Sequence, residues 1–190
     1  MTKLKTNCLN YVWGIGKVVS IEHIEHNGRP LSRFFLDYGT GMVSVMHYNA
    51  IPGIQNLKNG DSVFVEGKLR HSTRSNAYKI MAEIVVLSDS ATSMVVVVLE
   101  GAPVSLESQE NALVIQFEHI HATKEGRGYK CPIQVSFKKT AEAAIMSRYI
   151  PGDTQVILGR LRGTVIQGAN MTSSTPIYIT IPEATNGTEK

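Results

Sequence analysis

Histidine and cysteine are the side chains that could hold a metal ion in this sequence. A strand would place His119 and His121 on one side, and we expect His23 and His26 to lie on a loop. Zinc needs three or four suitably spaced ligands, and neither of the two cysteines belongs to a C-x-x-C pair. We therefore expect no metal site and no cofactor, and we expect both cysteines to be reduced.

Residue patterns typical of catalysis are missing as well. The sequence has no Gly-rich phosphate loop ending in Lys-Ser/Thr, no nucleophile elbow, and no carboxylate pair in the context of a cleft. An enzyme is not expected. The chemistry that remains is binding, through aromatic rings that stack on flat ligands and through basic side chains that attract anions.

Two aromatic residues have neighbours that favour exposure. Phe35 shares a strand face with Arg33 and Asp37, which makes that face polar. Tyr78 stands beside Lys79, just after a basic loop. Both rings are candidates for stacking on a flat ligand.

Two further aromatic residues leave the choice between core and surface open. Trp13 lies between Val12 and Gly14, and a lone tryptophan of this kind packs in a core more often than it forms an exposed platform. Tyr178 alternates with the isoleucines of segment 177–181, so a strand would turn it away from the isoleucine face. Both stay on the list of candidate stacking residues.

The basic residues are unevenly distributed. The net charge is +3, and residues 1–88 carry ten Lys/Arg against six Asp/Glu, whereas residues 94–182 carry eight against seven. A bound polyanion should therefore contact the first half more, although simple solvation explains so small an excess equally well. The candidate cations are Arg33, Lys68, Arg70, Arg74, Lys79, Lys130, Arg160 and Arg162.

An internal repeat places several of these cations in equivalent positions. Each copy reads Gly-Asp, five intervening residues, then Gly, a base, Leu and Arg. This order indicates a turn, a strand, and a glycine at which the strand bends sharply before a basic loop. The copies run from Gly60 to Arg70 and from Gly152 to Arg162.

The flanking segments predict five strands in each half. Strand-forming residues fill 10–19, 31–38, 42–48 and 78–87 around the first copy, and 94–99, 112–119, 129–137 and 176–181 around the second. In the second half Thr140 could cap a helix that Pro151-Gly152 would end, while in the first half Pro52-Gly53 leaves only a loop. Five strands with a helix between the third and fourth is the order of the OB fold.

The sequence therefore predicts an all-β protein with two tandem five-stranded OB-fold barrels, the second with a helix between strands 3 and 4. The predicted boundaries are 1–88 for the first barrel, 89–93 for a linker, 94–182 for the second barrel and 183–190 for a disordered tail. The longest apolar run, 94–99, is too short to span a membrane, and residues 1–7 do not resemble a signal peptide. A cytoplasmic location is expected.

In these details the sequence resembles the bacterial single-stranded DNA-binding proteins (SSB). The passage 135–153 is similar to that family's strand-three-to-helix segment, 12–17 to its first strand, and both Gly-Lys/Arg-Leu-Arg strings to its strand-four exit. The resemblance implies that Tyr48 and Phe137 occupy the position of a stacking aromatic at the end of strand three. Phe137 also shares a strand face with Ile133 and Val135, which favours the core. Some members of that family with two OB folds assemble as dimers, so the resemblance also implies a homodimer with four barrels.

Two functional interpretations follow. The first is a single-stranded DNA-binding accessory protein that coats or protects DNA in replication, recombination or conjugation, by base stacking and phosphate contacts. The second is an OB-fold protein-interaction module for assembly, with little or no affinity for nucleic acid. RNA stays open as a partner in place of DNA, and the first barrel is expected to bind more strongly than the second.

Overall fold

The computed structural model describes residues 9–48, 54–72, 77–122, 128–150, 153–163 and 165–173, with the backbone alone for 119–122, 128–131 and 173. Within these ranges the chain forms ten strands, two 3-10 turns and one short helix. The strands are β1 (Asn10–His26), β2 (Arg29–Asp37), β3 (Met42–Tyr48), β4 (Ser62–Ser72), β5 (Ala77–Leu87), β6 (Met94–Ser108), β7 (Ala112–Ala122), β8 (Gly128–Lys138), β9 (Gln155–Arg162) and β10 (Val165–Ser173).

The strands close into two barrels of the same topology. In barrel 1 the order is β1-β2-β3-β5-β4 and back to β1, and in barrel 2 it is β6-β7-β8-β10-β9 and back to β6. Each barrel has one parallel pairing, between its third and fifth strands, and the rest are antiparallel. This is the OB-fold topology, and it confirms the tandem OB prediction.

The final strand of barrel 2 corrects the sequence prediction. Val165–Ser173 forms β10 and pairs with β8 and β9, whereas the predicted strand 176–181 lies outside the described residues. The pairing with β9 shifts register between Gly168 and Asn170, as at a β-bulge. The bulge lets the strand continue through residues that have low β-propensity.

The segment between strands three and four differs between the barrels. In barrel 1 the described part of this segment, 54–61, holds a 3-10 turn, Ile54–Asn56. In barrel 2 a 3-10 turn at Lys139–Ala141 leads into helix α1 (Glu142–Met146), which buries Ile145. The predicted cap by Thr140 is wrong, since the N-cap is Ala141, without a side-chain hydrogen bond.

The two barrels are joined by a pairing between their first strands. β1 and β6 run antiparallel from the pair Asn10 and Leu99 to the pair Ile15 and Met94. Along this stretch β1 also pairs with β4, and β6 also pairs with β9. One continuous sheet therefore crosses from one barrel to the other.

Two tyrosines of barrel 1 reach across to barrel 2. The Tyr38 hydroxyl donates a hydrogen bond to the Gly163 carbonyl at 3.0 Å, from the β2–β3 turn to the β9–β10 turn. The hydroxyl of Tyr78, at the start of β5, lies 3.4 Å from the Gln134 amide nitrogen and 3.5 Å from its carbonyl oxygen on β8. Strand pairing and these two tyrosines together fix the relative position of the barrels.

The second glycine of each repeat copy, Gly67 or Gly159, lies where two strands come too close for a side chain. A Cβ at Gly67 would collide with the carbonyl of Met81, and one at Gly159 would lie 2.8 Å from the carbonyl of Gln167. The β4–β5 register also shifts between Glu66 and Gly67. The glycine thus permits the sharp bend that closes each barrel.

Candidate nucleic-acid interface

One outward surface of barrel 1 gathers five of the predicted binding residues. We call it the barrel 1 face. It crosses β2, β3, β5 and β4, and alternation along these strands turns its side chains away from the core. The barrel 1 face consists of Arg33, Phe35, Ser44, Met46, Lys68, Arg70, Lys79 and Met81.

A row of four residues across this face contains an aromatic ring and, two and three strands away from it, two cations. Phe35 pairs with Ser44, Ser44 with Lys79, and Lys79 with Arg70. Phe35 is 42% exposed, which is high for a ring of this size on a strand. The row can therefore offer a stacking platform and phosphate contacts to the same extended strand.

The neighbouring row contains cations that already have carboxylate partners. It runs from Arg33 through Met46 and Met81 to Lys68. Arg33 Nη2 lies 2.6 Å from a Glu22 carboxylate oxygen, and Lys68 Nζ lies 3.2 Å from one of Glu83. These pairs are exposed, so they contribute little stability and leave the cations within reach of phosphate.

Tyr48 lies at the edge of this surface, at the end of β3. It is half-buried, and its hydroxyl lies 3.4 Å from Nδ1 of His26, with ring centroids 6.0 Å apart at 60°. The imidazole comes from the tip of the β1–β2 hairpin, so His23 and His26 lie on β1 and the predicted loop there is wrong. Tyr48 could therefore extend the barrel 1 face toward that hairpin.

Two predicted stacking residues lie elsewhere. Trp13 is half-buried on β1 and stacks on Phe64, with ring centroids 6.4 Å apart at 27°. Tyr78 belongs to the contact with barrel 2 and packs against His71, with centroids 5.1 Å apart. The structure does not bring these two rings together with Phe35.

The equivalent surface of barrel 2 has a different composition. Phe137 is 1% exposed, and a Cβ on Gly168 would collide with its ring, so the core interpretation of Phe137 applies. Arg160 and Arg162 are exposed on β9. Among the described side chains, their rows continue into apolar and uncharged polar residues without an aromatic ring: Val114, Gln116, Gln134, Ser136, Val165 and Gln167.

Three predicted binding residues cannot be placed. Arg74 and Tyr178 lie outside the described residues, and at Lys130 only the backbone, within β8, is described. Conversely, Ser44, Met46 and Met81 belong to the barrel 1 face although the sequence did not mark them. The period-2 alternation of β3 and β5 shows which of their residues point outward, but their neighbours across the sheet depend on register.

A buried histidine on β3 lies behind this surface. His47 is 4% exposed, and within the described part of the chain neither ring nitrogen has a hydrogen-bond partner. Burial lowers its pKa. It pairs with Ser32, whose hydroxyl lies 3.0 Å from Nδ1 of His23.

A second outward surface crosses the joint between the barrels and is largely apolar. We call it the junction face. Ile84, Val86 and Leu158 on this surface are 43%, 50% and 43% exposed. The junction face spans β5, β4, β1, β6 and β9, about 19 Å at the usual strand spacing. Its apolar and aromatic members are Tyr11, Trp13, Ile15, Phe64, Ile84, Val86, Val96, Val98 and Leu158, and the same cross-strand rows include the charged residues Glu66 and Arg160.

Neither a metal cluster nor a membrane helix occurs in the described ranges. No group of three or more His, Cys, Asp or Glu side chains there could hold a metal ion. No helix there is long and apolar enough to cross a membrane.

The two linked barrels, with a basic and aromatic surface on strands 2 to 5 of the first, define a tandem OB-fold protein. Among solved structures, a deletion variant of the single-stranded DNA-binding protein from Thermus aquaticus aligns with a TM-score of 0.66 and 18% identity, covering 93% of this chain and 98% of that one. The wild-type form of the same protein aligns with a TM-score of 0.64 and 19% identity, covering 88% and 94%. The fold similarity thus extends over both barrels, in agreement with the resemblance drawn from the sequence.

Unlike the comparison of structures, comparison of sequences finds no match for this chain. No protein-family model matches the chain, and no curated protein matches it. At 18–19% identity the structural matches establish a common fold.

Proposed function

We propose that the chain binds single-stranded DNA without catalysing a reaction, and that the barrel 1 face is its main contact surface. The observation that carries this proposal is the row formed by Phe35, Ser44, Lys79 and Arg70. Each base stacked on an aromatic ring contributes about 1–3 kcal/mol without any requirement for sequence. An exposed ring in one cross-strand row with two cations supplies both the stacking and the phosphate contacts that such binding needs.

The same proposal assigns the protein an accessory role in the cytoplasm. It would coat or protect single-stranded DNA during replication, recombination or conjugation. Barrel 1 would contribute more affinity than barrel 2, because the described side chains on the equivalent surface of barrel 2 include no aromatic ring.

A salt titration with a charge variant tests the proposal. Fluorescence anisotropy of labelled oligo-dT should show binding that weakens as salt increases, and Lys79→Gln should reduce the log–log slope by about 0.7 per lost phosphate contact. Arg148→Gln is the matched control, since Arg148 follows α1 and hydrogen-bonds Asn170. Absence of binding even at low salt would overturn the proposal, and tighter binding of oligo-rU would replace DNA by RNA.

The oligomeric state belongs to the same proposal. The junction face is wide and largely apolar, with Ile84, Val86 and Leu158 exposed on it, and exposed apolar patches often mark protein–protein contacts. It spans both barrels around the β1–β6 pairing, so two copies could pack sheet against sheet. A homodimer with four OB folds would result.

The alternative proposal is an assembly module with little affinity for nucleic acid. The observation that favours it is the junction face, which suits a protein contact better than a polyanion. Dimerisation together with absence of oligonucleotide binding at low salt would support this second function over the first.

A further inference from the structure

A cleft of about 230 Å³ lies between the two barrels, away from the barrel 1 face. Barrel 1 contributes the rings of His71 and Tyr78, from the hairpin formed by β4 and β5. Barrel 2 contributes residues from β7, β8 and β10. The lining residues from barrel 2 are Gln116, Pro132, Ile133, Gln134 and Val165.

The position of this cleft follows from where the strand pairing of barrel 2 ends. β8 pairs with β10 through Val135 and Ser136, and at Gln134 the Tyr78 hydroxyl approaches the backbone N–H and C=O instead. This contact satisfies polar groups that the sheet leaves open. It also holds the Tyr78 ring over the outer surface of barrel 2.

Two amide side chains provide hydrogen-bonding groups in the cleft. Gln116 and Gln134 are direct partners across β7 and β8, and both are exposed. The Gln116 Oε1 accepts a hydrogen bond from the Ser105 hydroxyl at 3.3 Å. That contact orients the amide so that its NH₂ group points away from Ser105 as a donor.

The geometry points to a composite pocket that takes one unstacked pyrimidine base from bound single-stranded DNA and reads its edge with Gln116 and Gln134. The cleft is smaller than the about 300–1,000 Å³ of pockets for drug-sized ligands, so it suits a single ring. Tyr78 and His71 provide the aromatic wall, and an amide NH₂ fits the O2 carbonyl that thymine and cytosine share. Unstacked bases in single strands are commonly recognised in this way.

This inference rests on the proposed function, because a base enters the cleft only if the chain binds single-stranded DNA. It adds a base preference to binding that the barrel 1 face would make independent of sequence. Recognition of a base edge depends on particular side chains, here Gln116 and Gln134. The weak base preferences that arise from strand flexibility do not depend on any particular side chain.

Affinities for oligo-dT, oligo-dC and oligo-dA, measured at one salt concentration, test this pocket. The double variant Gln116→Leu/Gln134→Leu should reduce the pyrimidine-over-adenine affinity ratio roughly three- to tenfold, through lost hydrogen bonds. Gln167→Leu, an amide on β10 that does not line the cleft, should leave the ratio unchanged. The intrinsic cost of unstacking oligo-dA is the same for all variants and cancels in the comparison.

The outcomes distinguish a failure of the pocket from a failure of the proposed DNA-binding function. An unchanged ratio in the double variant, with binding retained, overturns the pocket and leaves the proposed function intact. Failure of the unmodified protein to bind any oligonucleotide overturns both. If the double variant does not fold, the single variant Gln116→Glu replaces the donor by an acceptor. It should weaken oligo-dT binding more than oligo-dA binding, and equal losses would overturn the pocket.

Discussion

Phe35 is the side chain on which the proposed contact with DNA depends most. Its ring is exposed on β2, in the same cross-strand row as Lys79 and Arg70. Phe35→Ala should weaken oligo-dT binding by about 1–3 kcal/mol, roughly 5- to 150-fold. Phe35→Trp should keep most of the affinity, since a larger ring stacks at least as well.

A matched control for Phe35→Ala exists on barrel 2. Val104 on β6 is 56% exposed and lies away from the barrel 1 face, so Val104→Ala should leave the anisotropy titration unchanged. Equal losses in the two variants would show that Phe35 acts through stability and not through contact. Thermal melting of each variant checks folding.

His47 should make the stability of the chain depend on pH. Burial lowers its pKa in the folded state, so the unfolded chain binds more protons as pH falls. This contribution to the free energy of unfolding is present above the unfolded value of about 6.5 and is lost as pH falls through the folded pKa.

A substitution that cannot titrate isolates this effect. His47→Leu should flatten the fall in the free energy of unfolding between neutral pH and about pH 5, measured by urea denaturation. It should not destabilise the protein at neutral pH, because the buried ring has unsatisfied nitrogens within the described residues. An unchanged pH profile would assign the dependence to other groups.

The glycine of the repeat determines how each barrel closes. Gly67→Ala should destabilise the protein by about 1–3 kcal/mol, because the added methyl group meets the Met81 carbonyl and the backbone must shift. Gly28→Asn is the control. Gly28 has a φ of +70° with open space around it, and asparagine tolerates that conformation better than most residues.

Chemical denaturation compares the two glycine variants. A loss of stability for Gly67→Ala with little change for Gly28→Asn is the expected result. Similar small losses of stability in both variants would mean that the backbone of β5 shifts at the bulge to make room for a methyl group. The repeated glycine would then not be required at position 67.

Strands could be read from the sequence more reliably than their pairing. Alternation marks which residues of β4 point inward, and the repeated glycine marks where it bends. Register is different, because the neighbours of Phe35 on β3 and β5 are fixed by contacts far apart in the chain. The misplaced final strand has a similar origin, since a bulge at Gly168 resembles a loop in sequence.

Orientation explains why equivalent aromatic residues in the two barrels differ. Tyr48 and Phe137 both lie near the end of a third strand, yet Tyr48 is half-buried at the surface and Phe137 fills the core. Phe137 lies two residues after Val135 and four after Ile133, so its side chain points inward with theirs. Tyr48 comes one residue after the buried His47, so its side chain points outward. The face of a strand decided the outcome, and the position along it did not.

For the whole molecule, the junction face predicts self-association. Val86→Glu places a charge on the β5 side of a face that would pack against a second copy, and should convert a dimer to a monomer in sedimentation velocity. Val104→Glu, an exposed valine outside the face, should leave the dimer intact. A monomeric unmodified protein at micromolar concentration would contradict the assembly proposal.

The pairing of β1 with β6 has a consequence during synthesis. The edge of β1 at Asn10–Ile15 is completed only by β6, which begins at Met94. At about 5–20 residues per second, the nascent chain carries that edge unprotected for roughly 4–17 s. On a crowded polysome, β6 of a neighbouring chain can pair with this edge of β1 before β6 of the same chain has been made. The joint between the barrels is therefore where exchange of strands between newly made copies is expected.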